Sequence, residues 1–143
     1  MPKPKTTILV VEDDPDTLKI ITSVLSRGGF HVLSAADGHE ALEKARTHRP
    51  AAILSDMILP GLDGTELCMR LKTHRSTRDI PIGFLTARSD TEAFRQVLGQ
   101  GAVLYMTKPF PPEKLLALVN LLVGTKASSE GSGNRQRLRK PES

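Results

Sequence analysis

The chain has 143 residues, of which 38% are apolar and only 3% aromatic, and its formal net charge is +4. This length suits one domain whose core is mainly aliphatic. No apolar run approaches the roughly 20 residues that a membrane-spanning helix needs, and no secretory signal follows the N-terminus, so we expect a cytoplasmic protein without membrane contact. The single cysteine, Cys68, excludes an internal disulfide, and its apolar neighbours predict a buried or half-buried thiol.

Five short apolar runs predict strands, because they are rich in β-branched residues or bounded by turn signals. They lie at 7–11, 31–35, 51–56, 80–85 and 103–107. Helical spacing of apolar residues predicts a helix after each strand, at 15–27, around 41–45, and at 65–73, 90–99 and 112–122. This alternation predicts an α/β fold, a doubly wound five-stranded parallel sheet with helices on both faces.

The domain organisation follows from a change in composition near residue 124. We expect an N-terminal arm at 1–6, one domain at 7–123 and a flexible basic tail or linker at 124–143. The tail has five basic residues against Glu130 and Glu142, namely Lys126, Arg135, Arg137, Arg139 and Lys140. It could touch nucleic-acid phosphates weakly, but no aromatic side chain is interleaved for base stacking, so a solubilising tail or linker is favoured.

Polar side chains lie where four predicted strands end. Glu12 and Asp13 follow the first strand, Asp56 ends the third, Thr86 ends the fourth, and Lys108 follows the fifth. The carboxyl ends of parallel strands meet at one edge of a sheet, so these side chains should meet. Three carboxylates repel one another unless a cation holds them, and a hard divalent ion such as Mg²⁺ suits oxygen ligands. The set predicts a pocket for a phosphoryl group beside a nucleophilic carboxylate.

Four motifs, in this order and spacing, resemble the receiver domain of bacterial two-component response regulators. They are Val-Val-Glu-Asp-Asp at 10–14, Asp56 with Leu-Pro-Gly-Leu-Asp-Gly at 59–64, Leu-Thr-Ala at 85–87 and Tyr-Met-Thr-Lys-Pro-Phe at 105–110. The resemblance covers residues 7 to 123 and implies a flavodoxin-like (βα)5 fold with strand order 2-1-3-4-5. It also implies a signalling switch rather than an enzyme, which accepts a phosphoryl group from a histidine kinase or phosphotransfer protein.

The resemblance assigns the acidic residues one by one. It makes Asp56 the phosphoacceptor and implies that Mg²⁺, or Mn²⁺ in its place, binds Asp13, Asp56 and the backbone carbonyl of Ile58. Glu12 would act on the metal through a water molecule. Asp14 falls one position beyond the acidic pair, and we interpret it as a helix cap.

The remaining assignments concern the phosphoryl group and its readout. Lys108 and Thr86 would bind phosphoryl oxygens, the backbone amides of Met57 and Ala87 would complete the cradle, and the Lys108–Pro109 bond would be cis. Thr86 would then move toward the phosphoryl group and Tyr105 would turn inward, which remodels the face of the fourth helix, fifth strand and fifth helix. A downstream protein target, or a second copy in a homodimer, would bind this face. A static core role for Tyr105 remains an alternative.

Other interpretations of the whole chain stay open. We favour a stand-alone receiver over a module excised from a longer protein with an output domain. A haloacid-dehalogenase-type phosphatase is disfavoured, because the acids after Thr86 fall on predicted helices rather than at a strand end. A degenerate receiver is disfavoured by the joint presence of Asp13, Asp56, Thr86 and Lys108. We expect no histidine of this chain in the pocket, so the donor histidine belongs to a partner.

Overall fold

The computed structural model describes residues 5–86, 92, 95 and 104–131. Its strands are β1 (Thr7–Val11), β2 (His31–Ala35), β3 (Ala52–Asp56), β4 (Ile82–Thr86) and β5 (Leu104–Thr107). Its described helices are α1 (Pro15–Arg27), α2 (Gly38–His48), α3 (Gly64–Thr73) and α4 (Pro112–Gly131). The helix predicted at 90–99 lies outside the described residues except for Glu92 and Arg95, which are helical. None of the described helices combines the length and apolar character needed to cross a membrane.

The strands form one sheet in the order β2-β1-β3-β4-β5, and all four pairings are parallel. The predicted doubly wound α/β fold and its strand order are therefore confirmed. In the register of the sheet, Asp56 in β3 lies opposite Leu85 in β4, and Thr86 lies opposite Thr107 in β5. The carboxyl ends of β3, β4 and β5 consequently reach the same edge of the sheet.

The sheet separates two apolar clusters, and alternate strand residues point into each. On β1, Leu9 and Val11 join the cluster beneath α2 and α3, whereas Ile8 and Val10 join the cluster beneath α1 and α4. Burial on both faces explains why these strands are continuous apolar runs. Cys68 lies in the first cluster, where burial raises the pKa of its thiol to about 11. It is a core residue, as predicted, and stays protonated at neutral pH.

Two glycines allow helices to approach the sheet closely. A Cβ at Gly83 in β4 would lie 2.9 Å from Leu122 Cδ1 of α4, which explains why a glycine interrupts this strand. A Cβ at Gly64 would lie 2.8 Å from the Met57 carbonyl oxygen, so α3 begins directly against the chain that leaves β3. The Gly64 N–H donates to that same oxygen at 2.8 Å. This contact fixes the loop that follows Asp56.

The ends of α1 and α4 differ in how well the sequence predicts them. Asp14 is the N-cap of α1, where its side chain accepts a hydrogen bond from the Thr17 N–H at 3.0 Å, as expected. The helix α4 instead continues to Gly131, across the boundary expected after residue 123. Residues 125–131 contain no proline and include the good helix formers Lys126, Ala127 and Glu130, so a helix already nucleated in the core can extend to Gly131.

Candidate functional site

The candidate site lies at the carboxyl edge of the sheet, where the strand ends bring together side chains from distant parts of the sequence. Glu12 and Asp13 follow β1, Asp56 is the last residue of β3, and Thr86 is the buried last residue of β4. Lys108 follows β5, and its N–H donates to the Thr86 carbonyl oxygen at 2.9 Å. This bond continues the β4–β5 pairing by one residue and anchors the lysine at the edge.

Three carboxylates meet at this edge. One oxygen from each of Glu12, Asp13 and Asp56 lies within 4.8 Å of the others, with Asp13 exposed, Asp56 half-buried and Glu12 only 3% exposed. Burial, and then repulsion from Asp56, raise the pKa of Glu12. The Asp14 N–H, which donates to Glu12 Oε2 at 3.2 Å, and the charge of Lys108 oppose this rise. The prediction that these carboxylates would crowd one another is confirmed.

Lys108 supplies the positive charge of the site. Its Nζ donates to Asp56 Oδ2 at 3.1 Å and lies 3.7 Å from Glu12 Oε1, so one ammonium faces two of the three carboxylates. The Lys108–Pro109 peptide bond is cis, as the resemblance implies. The contact with Asp56 orients the Lys108 side chain toward the carboxylate that the resemblance assigns as the phosphoacceptor.

The acidic group also has the properties of a cation site. Glu12 Oε1 is buried and accepts no hydrogen bond from the described part of the chain. Such an oxygen is costly unless a cation or water satisfies it. The three carboxylates offer only oxygen donors, the ligands that hard divalent cations prefer. Glu12, Asp13 and Asp56 thus form a group that could hold a metal ion, and their chemistry fits Mg²⁺.

The structure gives less support for the backbone groups of Met57, Ile58 and Ala87 that are predicted to bind the phosphoryl group or the metal ion. The Met57 N–H already donates to the Leu85 carbonyl oxygen at 3.1 Å, so a phosphoryl oxygen would have to share this donor. Ile58 follows with a side chain that is 64% exposed, and the role of its carbonyl oxygen stays a prediction. Ala87 lies outside the described residues.

Tyr105 lies on β5 opposite Phe84, and 41% of its surface is exposed. A static core aromatic would be buried, so the structure contradicts that alternative. Its predicted inward turn stays a prediction. On the same predicted face, Arg95 and Glu92 form an exposed ion pair at 3.7 Å, a geometry that contributes little to stability.

All four histidines are exposed, and none belongs to the acidic group. Their positions, His31, His39, His48 and His74, agree with the expectation that the donor histidine comes from another protein. Ser55, which has no predicted role, is a further residue beside the site, and its buried hydroxyl donates to the Asp56 carbonyl oxygen at 2.8 Å. The sequence feature that could have indicated a role for Ser55 is that it is a lone polar residue in an apolar strand, immediately before Asp56.

Comparison with known proteins supports the resemblance to receiver domains. Residues 8–120 match the family model of the response regulator receiver domain. The chain is 42% identical over 118 residues to the alkaline phosphatase synthesis transcriptional regulatory protein PhoP of Bacillus subtilis, an alignment that covers 81% of this chain and 48% of PhoP. The chain spans about half the length of the curated regulators it matches, since its alignment to MtrA of Mycolicibacterium smegmatis also covers 48% of that protein.

Solved structures agree with this assignment. A putative response regulator from Chloroflexus aurantiacus superposes with a TM-score of 0.80 at 38% identity, covering 85% of this chain and 99% of that chain. The receiver domain of the sensor histidine kinase PA1611 from Pseudomonas aeruginosa, solved with magnesium coordinated in its active-site cleft, has a TM-score of 0.78 at 32% identity with the same two coverages. The chain therefore belongs to the receiver-domain family of two-component response regulators, signalling proteins that partner with histidine kinases or phosphotransfer proteins.

Proposed function

We propose that Asp56 accepts a phosphoryl group from a phosphohistidine on a partner kinase or phosphotransfer protein. The observation that carries this proposal is the 3.1 Å contact of Lys108 Nζ with Asp56 Oδ2, inside a group of three carboxylates. In the reaction, an Asp56 carboxylate oxygen attacks phosphorus and the phosphorus–nitrogen bond breaks. The imidazole nitrogen keeps the electron pair and the aspartate becomes an acyl phosphate. The Lys108 ammonium, which contacts the Asp56 carboxylate before the reaction, would then bind a phosphoryl oxygen and offset its negative charge.

The proposed cofactor is Mg²⁺, with Mn²⁺ as a substitute. Asp13 and Asp56 would bind it directly together with the Ile58 carbonyl oxygen, and Glu12 would bind through a water molecule. The bound ion would supply positive charge beside the equatorial phosphoryl oxygens. The unsatisfied Glu12 Oε1 supports this assignment, because a buried carboxylate oxygen without a hydrogen bond matches a site that a metal and its water complete.

The rest of the proposed cradle consists of the Thr86 hydroxyl and the backbone amides of Ala87 and Met57. The Met57 N–H is the weakest member of this set, because it already donates to Leu85. Signalling would follow when Thr86 moves toward the phosphoryl group and Tyr105 turns inward. The exposure of the Tyr105 ring, 41% of its surface, leaves area that an inward turn would bury, and this supports the proposed turn.

The wider role is also a proposal. We infer a phosphoacceptor that assists its own phosphorylation and dephosphorylation in the cytoplasm, without turnover of an external substrate. The altered face around β5 and α4 would bind a downstream protein target or a second copy of this chain. The curated relatives, of which this chain spans 48%, keep the alternative of a linked output domain open.

The test is to incubate the protein with Mg²⁺ and acetyl phosphate or phosphoramidate and to measure its intact mass. We expect the gain of one phosphoryl group, absent from Asp56→Asn. Asp79→Asn is the matched control, because it removes the same charge from an exposed position that follows α3 and precedes β4. It should be phosphorylated like the parent.

Three results would contradict the proposal. A mass gain that survives in Asp56→Asn would place the phosphoryl group elsewhere. No gain with either donor would favour a degenerate receiver that acts only as a binding module. Steady turnover of a phosphomonoester would favour the phosphatase alternative.

A further inference from the structure

Four polar side chains are buried in the part of the chain that the structure describes, and three of them have an evident role. They are Glu12, Ser55, Thr77 and Thr86. Glu12 and Thr86 belong to the candidate site. The Thr77 hydroxyl donates to the Leu71 carbonyl oxygen at 2.7 Å and closes the end of α3. Ser55 is the remaining one, and no predicted site role includes it.

Ser55 lies where an apolar residue would be expected. Strand side chains alternate between the two faces of a sheet, and its neighbours on the same face, Ile53 and Met57, both belong to the apolar cluster beneath α2 and α3. Ser55 itself is completely buried. A hydroxyl in such surroundings is unfavourable unless it makes a hydrogen bond. Stability alone would therefore favour an apolar side chain here, which suggests that the hydrogen bond serves the neighbouring site.

That hydrogen bond goes to the backbone of the phosphoacceptor. Ser55 Oγ donates to the Asp56 carbonyl oxygen at 2.8 Å. The last residue pair between β1 and β3 is Val11 with Ser55, so Asp56 lies one residue beyond its support from β1. On the other side, Asp56 still lies opposite Leu85 of β4. The serine hydroxyl thus constrains Asp56, the β3 residue that is paired with β4 but no longer with β1.

We infer that Ser55 is a positioning residue for Asp56. Its hydroxyl holds the Asp56 backbone so that the carboxylate stays 3.1 Å from Lys108 Nζ and within 4.8 Å of the oxygens of Glu12 and Asp13. In this role Ser55 acts through the backbone geometry of Asp56. The part of the inference that concerns phosphoryl transfer rests on the proposed function, whereas the part that concerns cation binding rests on the acidic group itself.

The test compares two variants that lose the same kind of bond in different places. Ser55→Ala and Thr77→Val each remove a buried hydroxyl that donates to a backbone carbonyl, but only the first lies beside Asp56. We expect Ser55→Ala to weaken Mg²⁺ affinity, measured by calorimetry, about tenfold, as is usual when a partner that orients a ligand is lost. The rate of phosphorylation by acetyl phosphate at saturating Mg²⁺ should also fall about tenfold.

Thr77→Val should keep both values within about twofold of the parent while its melting temperature falls, since it loses the hydrogen bond without touching the site. Ser55→Cys, which has nearly the same shape and a weaker donor, should lie between Ser55→Ala and the parent. It also keeps the test decisive if Ser55→Ala fails to fold.

Parent-like Mg²⁺ affinity and parent-like rate in a folded Ser55 variant would overturn the inference. Failure of the proposed function looks different, because the parent would then take up no phosphoryl group, or Asp56→Asn would still take one up. The Mg²⁺ affinities of Ser55→Ala and Thr77→Val would still decide whether Ser55 positions Asp56.

Discussion

A half-buried lysine lies at each end of the parallel strands, which we call the amino edge and the carboxyl edge of the sheet, and these two lysines have different partners. Lys72, near the amino ends of the strands, donates to the carbonyl oxygens of Arg78 at 3.0 Å and Ile80 at 2.8 Å. Lys108, at the carboxyl ends, faces Asp56 and Glu12. The two carbonyl oxygens hold the Lys72 ammonium by hydrogen bonds and close a loop. The crowded carboxylates around Lys108 leave negative charge that can bind a cation. We therefore infer that Lys72 stabilises the fold and that Lys108 contributes to the candidate site.

The edges also differ in how completely their buried groups are satisfied. Near Lys72, the buried Thr77 hydroxyl has a carbonyl acceptor. Near Lys108, Glu12 Oε1 is buried without a hydrogen bond among the described residues. A buried unsatisfied carboxylate oxygen lowers the stability of the folded state. We therefore expect the buried Glu12 carboxylate at the carboxyl ends of the strands to lower the stability of the metal-free protein in favour of cation binding.

The largest expected effect comes from exchanging each lysine for methionine. Lys108→Met should lower the rate of phosphorylation by acetyl phosphate by about a hundredfold, because a preorganised charge at the transferred group is lost. Lys72→Met should leave that rate unchanged but lower the free energy of unfolding by about 1 to 2 kcal/mol, because two carbonyl oxygens lose a charged donor. Rates are followed by intact mass and stability by urea titration.

The comparison of the two edges would be wrong if Lys72→Met slowed phosphorylation as much as Lys108→Met. It would also be wrong if Lys108→Met retained the parent rate with the same donor and the same Mg²⁺ concentration.

A smaller effect is expected where α3 meets the end of β3. In Gly64→Ala, the new Cβ would lie 2.8 Å from the Met57 carbonyl oxygen and 2.9 Å from Met57 Cα, both of them backbone atoms. We expect the free energy of unfolding to fall by about 2 kcal/mol, as in other overpacked sites. Gly124→Ala is the control, because a Cβ there meets nothing within 4 Å in α4. It should gain about 0.5 to 1 kcal/mol from better helix propensity. Urea titrations in which Gly64→Ala is no less stable than Gly124→Ala would contradict this packing account.

Much of the fold could be predicted because its signals are local. The strands β1 and β2 have the predicted bounds, since short apolar runs lie between clear turn and cap residues. The strand β4 begins at Ile82 rather than at residue 80. Pro81 cannot donate to the ladder, and its carbonyl oxygen instead accepts a bond from the Ile53 N–H. The extension of α4 to Gly131 was also missed, because glycine and serine lower helix propensity without forbidding a helix.

The site could be predicted only in part. The identities of Glu12, Asp13, Asp56 and Lys108 follow from their places at strand ends. Their contacts depend on sheet register and side-chain direction, which no spacing encodes. The bond from Met57 to Leu85 is a product of that register. Ser55 was missed because a lone serine in a strand gives no indication of its acceptor until the backbone is placed.

The pH dependence of stability follows from the raised pKa of Glu12. A carboxyl group whose pKa is higher in the folded state than in the unfolded state favours folding when protonated. The metal-free protein should therefore lose stability as the pH rises from about 4.5, the ordinary value for glutamate, through the raised pKa of the folded state. Glu12→Gln should remove this loss.

The central claim is that the buried Glu12 carboxylate lowers stability but favours cation binding. Its most direct test is the free energy of unfolding of the parent and of Glu12→Gln at neutral pH. It is measured by urea titration, first with a chelator and then with Mg²⁺. We expect Glu12→Gln to be the more stable protein in the chelator and Mg²⁺ to stabilise the parent more than the variant. A Glu12→Gln protein that is less stable than the parent in the chelator would contradict it, because the ionised carboxylate would then be stabilising the fold by itself.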